Sequence, residues 1–314
     1  MRTWTLEIGR VPFHSMLKLV PTCPLYKPDL IFALFNADCM ERQHKMNNRI
    51  LEDFYIKQNL IGRGGFGQVY NGFGIIGGEK VAIKEIFKTK TIHRHPQTNI
   101  PTEISHLLQL QNISGVIKLI DWFETDEVVY IVMEHFGDQD LFDYVADNKQ
   151  MNEPQAKHVF RQLVETVIQC KDKKILHRDI KDENILYDSR NQSIKLIDFG
   201  SSTEYHHGFY TDFEGTLFYA PPEWLEHRQY TANSIEAWSL GTILYTLVTG
   251  NISYKTPATL FKDDELRWPK QNKVTKLRLE LSHNVKDLTE KCLALNPDER
   301  IKIEDILKHP WFMI

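Results

Sequence analysis

"HRDIKDEN", residues 177–184, places five charged side chains and a histidine between the apolar pairs Ile175–Leu176 and Ile185–Leu186. An arbitrary octapeptide of this composition is ordinarily a solvated turn between two strands. What stands elsewhere in the chain decides whether this one is more than that.

A few residues on, "LIDFG" brings Asp198 to the end of an apolar run, with Gly200 expected to free the backbone just after it. A carboxylate there suits Mg2+, a hard cation that takes oxygen ligands and accompanies phosphates. By itself Asp198 would more often be a turn aspartate. Together with Asn184 it supplies two oxygen ligands from adjacent turns.

Upstream, "LIGRGGFGQVY" spaces Gly62, Gly64 and Gly67 as G-x-G-x-x-G-x-V. A dinucleotide fingerprint shares this spacing but requires a helix after the glycines, whereas Gln68-Val69-Tyr70 continues as a strand. Glycines at such a turn let backbone amides approach phosphate oxygens. "VAIK" then ends on Lys84, among apolar neighbours. A surface lysine on an edge strand is one reading. An inward lysine, which needs anions such as phosphates or Glu103 on the following helix, is the other.

The surrounding pattern divides the chain into three textures. Residues 1–48 mix prolines, aromatics and isolated charges without a period, and read as an extension whose apolar patch Leu30–Phe35 could pack on a neighbour. From Phe54, the runs "FYIKQNLIG", "FGQVYNGF", "KVAIKEIF" and "VVYIVME" predict an antiparallel sheet, interrupted by one helix beginning near Pro101. After Gly137, "PQAKHVFRQLVETVIQC", "SIEAWSLGTILYTLVTG" and "VKDLTEKCLAL" carry apolar residues at helical spacing, with strand-like "KILH", "NILYD" and "IKLIDFG" among them.

Composition narrows the function classes. The chain has 314 residues and 38 basic against 42 acidic side chains, a formal charge of -4, which argues against a nucleic-acid binder that works by phosphate neutralisation. Cys23, Cys39, Cys170 and Cys292 are too scattered for a zinc site or a disulfide framework and read as reduced cytosolic thiols. No leader-like segment and no run of 18 apolar residues is visible, so the expectation is a protein that neither spans nor binds membranes.

In order along residues 54–312, "GRGGFG", "VAIK", Glu103, "HRDIKDEN", "DFG", "PPEW" and Arg300 of "NPDER" resemble the eukaryotic protein kinase family. The phrases "SGVIKLIDWFE", "QDLFDY", "ILHRDIKDENIL", "KLIDFGS", "YTDFEGT", "APPEW", "WSLGTILY" and "CLALNPDER" are similar, more narrowly, to the Pim kinases. The resemblance implies an α+β bilobal fold: a β-rich N-lobe with helix C over about 54–134, a hinge at 134–138 and a mainly helical C-lobe over 139–312, with residues 1–53 as an extension.

It also implies the roles. Ile61, Gly62, Gly64 and Gly67 would cover the nucleotide; Lys84 would contact its α and β phosphates and pair with Glu103; Asn184 and Asp198 would hold Mg2+. The adenine would lie between Val69 and Ala82 above and Leu186 below, with Met133 as gatekeeper and the backbone of Glu134 and Phe136 as hinge partners. Asp179 would take or orient the hydroxyl proton, while Lys181 and Thr216 mark the serine/threonine branch. Asp140, Asp143 and Glu183 would face basic residues upstream of the target hydroxyl, the two aspartates also suiting a helix start.

From this follow ATP and Mg2+ as cofactors, protein substrates as partners, a monomer, and a cytoplasmic location with the nucleus left open. Arg178 would normally seek a phosphate in the segment after "DFG". Asp212 or Glu214 could supply fixed negative charge instead, which implies constitutive activity. Glu223 is expected to pair with Arg300, and Asp182 is expected to be merely solvated.

Three departures from the Pim pattern stand out. The hinge is one residue shorter and has Phe136 where a proline is usual, so a backbone N–H is present there. "GNISYKTP" lacks acidic residues that Pim kinases offer to far-upstream basic side chains. Glu236 stands where most kinases carry an aspartate that braces the catalytic loop. A pseudokinase scaffold and a small-molecule kinase are the competing classes; the first has no need of the complete set Lys84, Glu103, Asp179, Asn184 and Asp198.

Overall fold

The computed structural model describes residues 50–65, 67–89, 92–137, 139–148, 150–250, 261–262, 265–266 and 281–313. The apolar patch at 30–35 and the stretch 251–257 lie outside them. The chain forms two units, one of residues 1–108 and 118–135, the other of residues 109–117 and 136–314.

The first unit is a five-stranded antiparallel sheet in the order β1-β2-β3-β5-β4, formed by β1 (Tyr55–Gly64), β2 (Gly67–Gly74), β3 (Lys80–Phe87), β4 (Leu119–Glu124) and β5 (Val128–Glu134), with one helix, α1 (Thr102–Gln109). Val81 and Ile83 on β3 point to a core completed by Leu51, Tyr55, Phe123 and Val132. Each such fully buried side chain contributes roughly 1.5–3 kcal/mol. Gly67 is dictated by packing, because a Cβ there would fall 2.0 Å from the Glu85 carbonyl oxygen. β4 was not among the runs read as strands: Asp121 interrupts its apolar alternation, yet is itself buried and accepts the Trp122 N–H.

The second unit holds α2 (Leu141–Asn148), α3 (Glu153–Asp172), α4 (Pro222–His227), α5 (Ala232–Thr249), α6 (His283–Cys292), α7 (Ile303–Ile306) and α8 (Pro310–Met313). Asn152 caps α3 by accepting the Gln155 N–H, and Pro154 sits in the first turn where no donor is missed. Val159, Phe160, Leu163, Val164 and Val167 form its buried stripe. α5 is buried on every side, is entered through a Thr231–Ser234 capping box and ends at Gly250 with φ 66°. Among the described residues no helix is long and apolar enough to cross a membrane.

The short strands of this unit position its chemistry. β6 (Gln139–Asp140), β8 (Ile185–Asp188) and β9 (Ser193–Leu196) make a sheet in the order β6-β8-β9. β7 (Ile175–Leu176) pairs with β10 (Thr203–Glu204), and β11 (Phe209–Tyr210) with β12 (Tyr230–Thr231). The octapeptide 177–184 thus runs from the end of β7 to the start of β8. β9 stops at Leu196, and the left-handed residue beyond it is Asp198 itself, φ 61°, rather than Gly200.

Candidate active site

In the sheet unit, Lys84 is 5% exposed and its Nζ lies 2.6 Å from Glu103 Oε1 on the first turn of α1. The surface-lysine reading is therefore excluded. Val69 pairs with Lys84 and Ala82 with Met133 across the strands, so the register brings Val69, Ala82 and Met133 close to the lysine. Gly62 faces Val69, and Gly64 pairs with Gly67 to close the hairpin. A side chain at Gly62 would meet nothing nearer than Val69 Cβ at 3.8 Å, and one at Gly64 would meet nothing within 4 Å. Packing does not require glycine at these two positions, whereas access to the backbone by a ligand would. Ile61 is exposed beside them, and Glu134 ends β5 with its Oε1 accepting the Lys118 N–H.

In the helical unit, the octapeptide is a hydrogen-bonded assembly. His177 is buried, which lowers its pKa and favours the neutral ring. Its Nε2 meets the Ile197 carbonyl at 3.0 Å and its Nδ1 accepts the Asp179 N–H, which assigns the proton to Nε2. Arg178 adopts φ 67° and donates from Nε to the Ser201 carbonyl at 2.6 Å and from Nη1 to Asp212 Oδ2 at 2.5 Å. Of the two acids proposed from sequence as its partner, Asp212 is the one that pairs.

Asp179 is where these contacts converge. Its Oδ1 accepts the Thr216 N–H at 2.7 Å, and its Oδ2 accepts Asn184 Nδ2 at 3.0 Å and lies 3.3 Å from Lys181 Nζ. Lys181 Nζ also donates to Thr216 Oγ1 at 2.7 Å. Asn184 Nδ2 makes a second bond, to the Asp179 carbonyl at 2.8 Å. With its amide N–H groups engaged, Asn184 has its amide oxygen to offer as a ligand. Asp198 supplies a carboxylate whose Oδ1 accepts the Gly200 N–H at 3.2 Å. An amide oxygen and a carboxylate are the all-oxygen donors that a hard cation such as Mg2+ takes.

Asp182 requires a correction. It is 2% exposed rather than solvated, and accepts a hydrogen bond from the Tyr219 hydroxyl, which also lies 3.4 Å from Glu183 Oε2. Burial, reinforced by the adjoining Glu183 carboxyl, pushes Asp182 up to about 7. Nothing local in the octapeptide signals this, since the partner is 37 residues away.

Asp140 precedes α2 and accepts the Asp143 N–H at 2.8 Å, so the helix-start reading applies to it. Burial, with added repulsion from Asp143 and Glu183, raises Asp140 to about 6, which places these three carboxylates within one electrostatic neighbourhood. Leu186 is the central residue of the small sheet, paired with Asp140 on one side and Lys195 on the other. Phe136 is half-buried at the start of this unit, its ring 5.3 Å from Lys195 Nζ. The buried Glu223–Arg300 pair is bidentate, at 2.8 and 3.0 Å. Glu236 is buried, is raised to about 8 by that burial, and has Oε2 without a hydrogen-bond partner.

A family model described as "Protein kinase domain" matches residues 55–312. The serine/threonine-protein kinase pim-2 of Danio rerio is 39% identical over 277 residues, covering 83% of this chain and 86% of the relative. Serine/threonine-protein kinase prk-2 of Caenorhabditis elegans is 36% identical over 267 residues, 84% of this chain and 59% of its own length. The human NUAK family SNF1-like kinase 1 is 33% identical over 278 residues, 87% of this chain and 40% of that protein. The chain therefore belongs to the protein kinase family and, within it, to the Pim-like serine/threonine kinases.

Proposed function

We propose that this chain, a protein kinase, moves the γ-phosphoryl group of ATP to serine or threonine hydroxyls of protein substrates that carry basic residues upstream, without needing a phosphate on its own activation segment. The observation that carries the catalytic reading is Asp179, held by the Thr216 N–H, Asn184 and Lys181. Phosphoryl transfer demands positioning and charge neutralisation more than a strong base. In the step itself a substrate hydroxyl oxygen bonds to the γ-phosphorus while the bond to the β–γ bridging oxygen breaks; the hydroxyl proton goes to Asp179 and the electron pair leaves with ADP.

Lys181 would stabilise the charge on the transferring group, and Lys84, kept in place by Glu103, would bind the α and β phosphates. In the sheet unit Gly62, Gly64 and Gly67 would offer backbone amides to phosphate, and Ile61, Val69, Ala82, Met133 and the Glu134 backbone would serve the adenine; in the helical unit Leu186 and the Phe136 backbone would do so. Asn184 and Asp198 would hold Mg2+, which when bound neutralises phosphate charge. The kinase domain would occupy residues 54–312, with residues 1–53 as an extension to a cytoplasmic monomer.

Two features support the finer points. The repulsion that Asp140 meets from Asp143 and Glu183 would be relieved by a guanidinium or ammonium group. The Arg178–Asp212 pair occupies the cation that a phosphate would otherwise seek.

A positional peptide library with radiolabelled ATP tests these points together. Transfer should favour Ser/Thr peptides with upstream Arg or Lys, and should persist after phosphatase treatment. Loss of nearly all activity on that treatment would overturn the constitutive reading, and substantial transfer by Lys84→Met or Asp198→Asn would overturn the assignment of roles. Absence of transfer by the wild-type chain would leave the scaffold reading.

A further inference from the structure

We infer that Lys195 is a positioning residue for the hinge and thereby sets affinity for the nucleotide base; this rests on the kinase reading above. Lys195 stands on β9 directly opposite Leu186, so the two side chains share a face of the β6-β8-β9 sheet, and Asp140 completes the same row across β8. Only 7% of Lys195 is exposed. Its ammonium donates to the Ser114 carbonyl at 3.1 Å and the Val116 carbonyl at 3.3 Å, and sits 5.3 Å from the centroid of the Phe136 ring. A cation over an aromatic face in a desolvated setting is attracted to it.

Phe136 is held from the other side as well. Gly137 follows it with φ 70°, and a Cβ there would lie 2.7 Å from the Tyr187 carbonyl oxygen of β8. The chain leaving Phe136 therefore presses against one strand of the small sheet while the Phe136 ring rests on a cation from the next. The segment that supplies the two carbonyls is itself tied to β9, through the Leu196 N–H to the Gly115 carbonyl at 2.7 Å and the Ile117 N–H to the Leu196 carbonyl at 3.1 Å. Lys195 thus joins three pieces of chain whose common product is the orientation of the Phe136 backbone.

The inference separates binding from chemistry. The Lys195 contacts above run to Ser114, Val116 and Phe136, so its removal should act on base recognition and leave phosphoryl transfer intact. A cation–π contact in a partly desolvated site corresponds to about a fivefold change in an equilibrium.

The full chain should be assayed with ATP titrated at saturating peptide, and adenosine, which has the base without phosphates, titrated calorimetrically. Lys195→Met should raise KM for ATP about fivefold, hold kcat within about twofold, and raise the adenosine Kd by the same factor as KM. Lys195→Arg should restore both. Phe136→Leu should also raise both, and the double variant should be no worse than the more affected single variant. Unchanged adenosine affinity in Lys195→Met would overturn the inference even if its melting temperature fell, since a purely structural role moves stability alone. A fall in kcat at constant KM would overturn it too. If Lys195→Met does not fold, Phe136→Leu decides: an unaltered adenosine Kd rejects the idea. Adenosine binding is read independently of transfer, so an inactive wild-type chain would count against the kinase reading and not against the Lys195–Phe136 contact.

Discussion

Two buried charged clusters in the helical unit, Arg300 with Glu223 and Asp179 with its neighbours, are built on opposite plans. The Arg300 guanidinium donates to both Glu223 oxygens and to the carbonyls of Ser234 and Ala294, so its donors are consumed by the protein. Around Asp179 the donors come from a backbone N–H, an amide and an ammonium, and the whole group lies between the ends of two short strands. One cluster closes on itself and holds α4 against the α5 entry and the loop before α7. The other fixes a carboxylate with donors drawn from three residues, two of them in the octapeptide itself. Burial and charge alone do not distinguish the two; what differs is that one cation gathers its acceptors while one carboxylate gathers its donors.

The largest effect should come from Asp179→Asn, which removes the carboxylate proposed above as proton acceptor; its amide oxygen can accept from Thr216 or from Asn184 and Lys181, but not from both sides. Its kcat should fall about 10²–10⁴-fold, with a smaller loss of stability than Glu223→Gln. A variant that lost stability instead would erase the contrast between the clusters. Glu223→Gln should do the reverse, costing about 3–5 kcal/mol by chemical denaturation while folded molecules retain their kcat, because the Arg300 charge is left buried without its counter-charge.

Glu236 sharpens the contrast as a buried carboxyl with an unpartnered oxygen. Its folded pKa is about 8, above the 4.5 of an exposed glutamate, so the folded state binds a proton that the unfolded chain has released. Stability from this group is therefore greatest below pH 4.5 and is lost as pH rises toward 8. Glu236→Gln should be more stable than the wild type at pH 8, on the order of 1–3 kcal/mol, with the difference vanishing near pH 4.5; equal denaturation midpoints at pH 8 would refute this. The smallest effect belongs to Asp212→Asn. Its side chain is largely exposed, so loss of the Arg178 pair should lower activity only about two- to fivefold. A collapse of activity would mean that this pair, and not backbone bonding to Ser201, orders the activation segment.

What could be read from the sequence was what is local or repeated. The β1, β2, β3 and β5 runs alternate or lie between glycine-rich turns, and the helical stripes of α3 and α6 recur every three to four residues, so both were visible without partners. The order of the motifs carried the family. β4 escaped because Asp121 broke its pattern, and its burial is explained only by the strand beside it. Asp182 was misjudged because its partner, Tyr219, arrives from a distant turn, and the choice between Asp212 and Glu214 needed the backbone of the activation segment to aim one of them at Arg178. Lys195 opens the phrase "KLIDFGS", yet the phrase assigns it no role; only the pairing of β8 with β9 reveals its neighbours.

The left-handed backbone of Asp198 bears on how an inactive form of this enzyme should be made. At φ 61° and ψ 76°, asparagine and glycine are tolerated with little strain, whereas alanine or a branched side chain adds a conformational cost of about 1 kcal/mol or more. An alanine control would therefore report two injuries as one, the missing carboxylate and a turn forced out of shape. Asparagine removes the charge and leaves the turn as it is, so it is the substitution from which a loss of phosphoryl transfer can be traced to a single atom's chemistry.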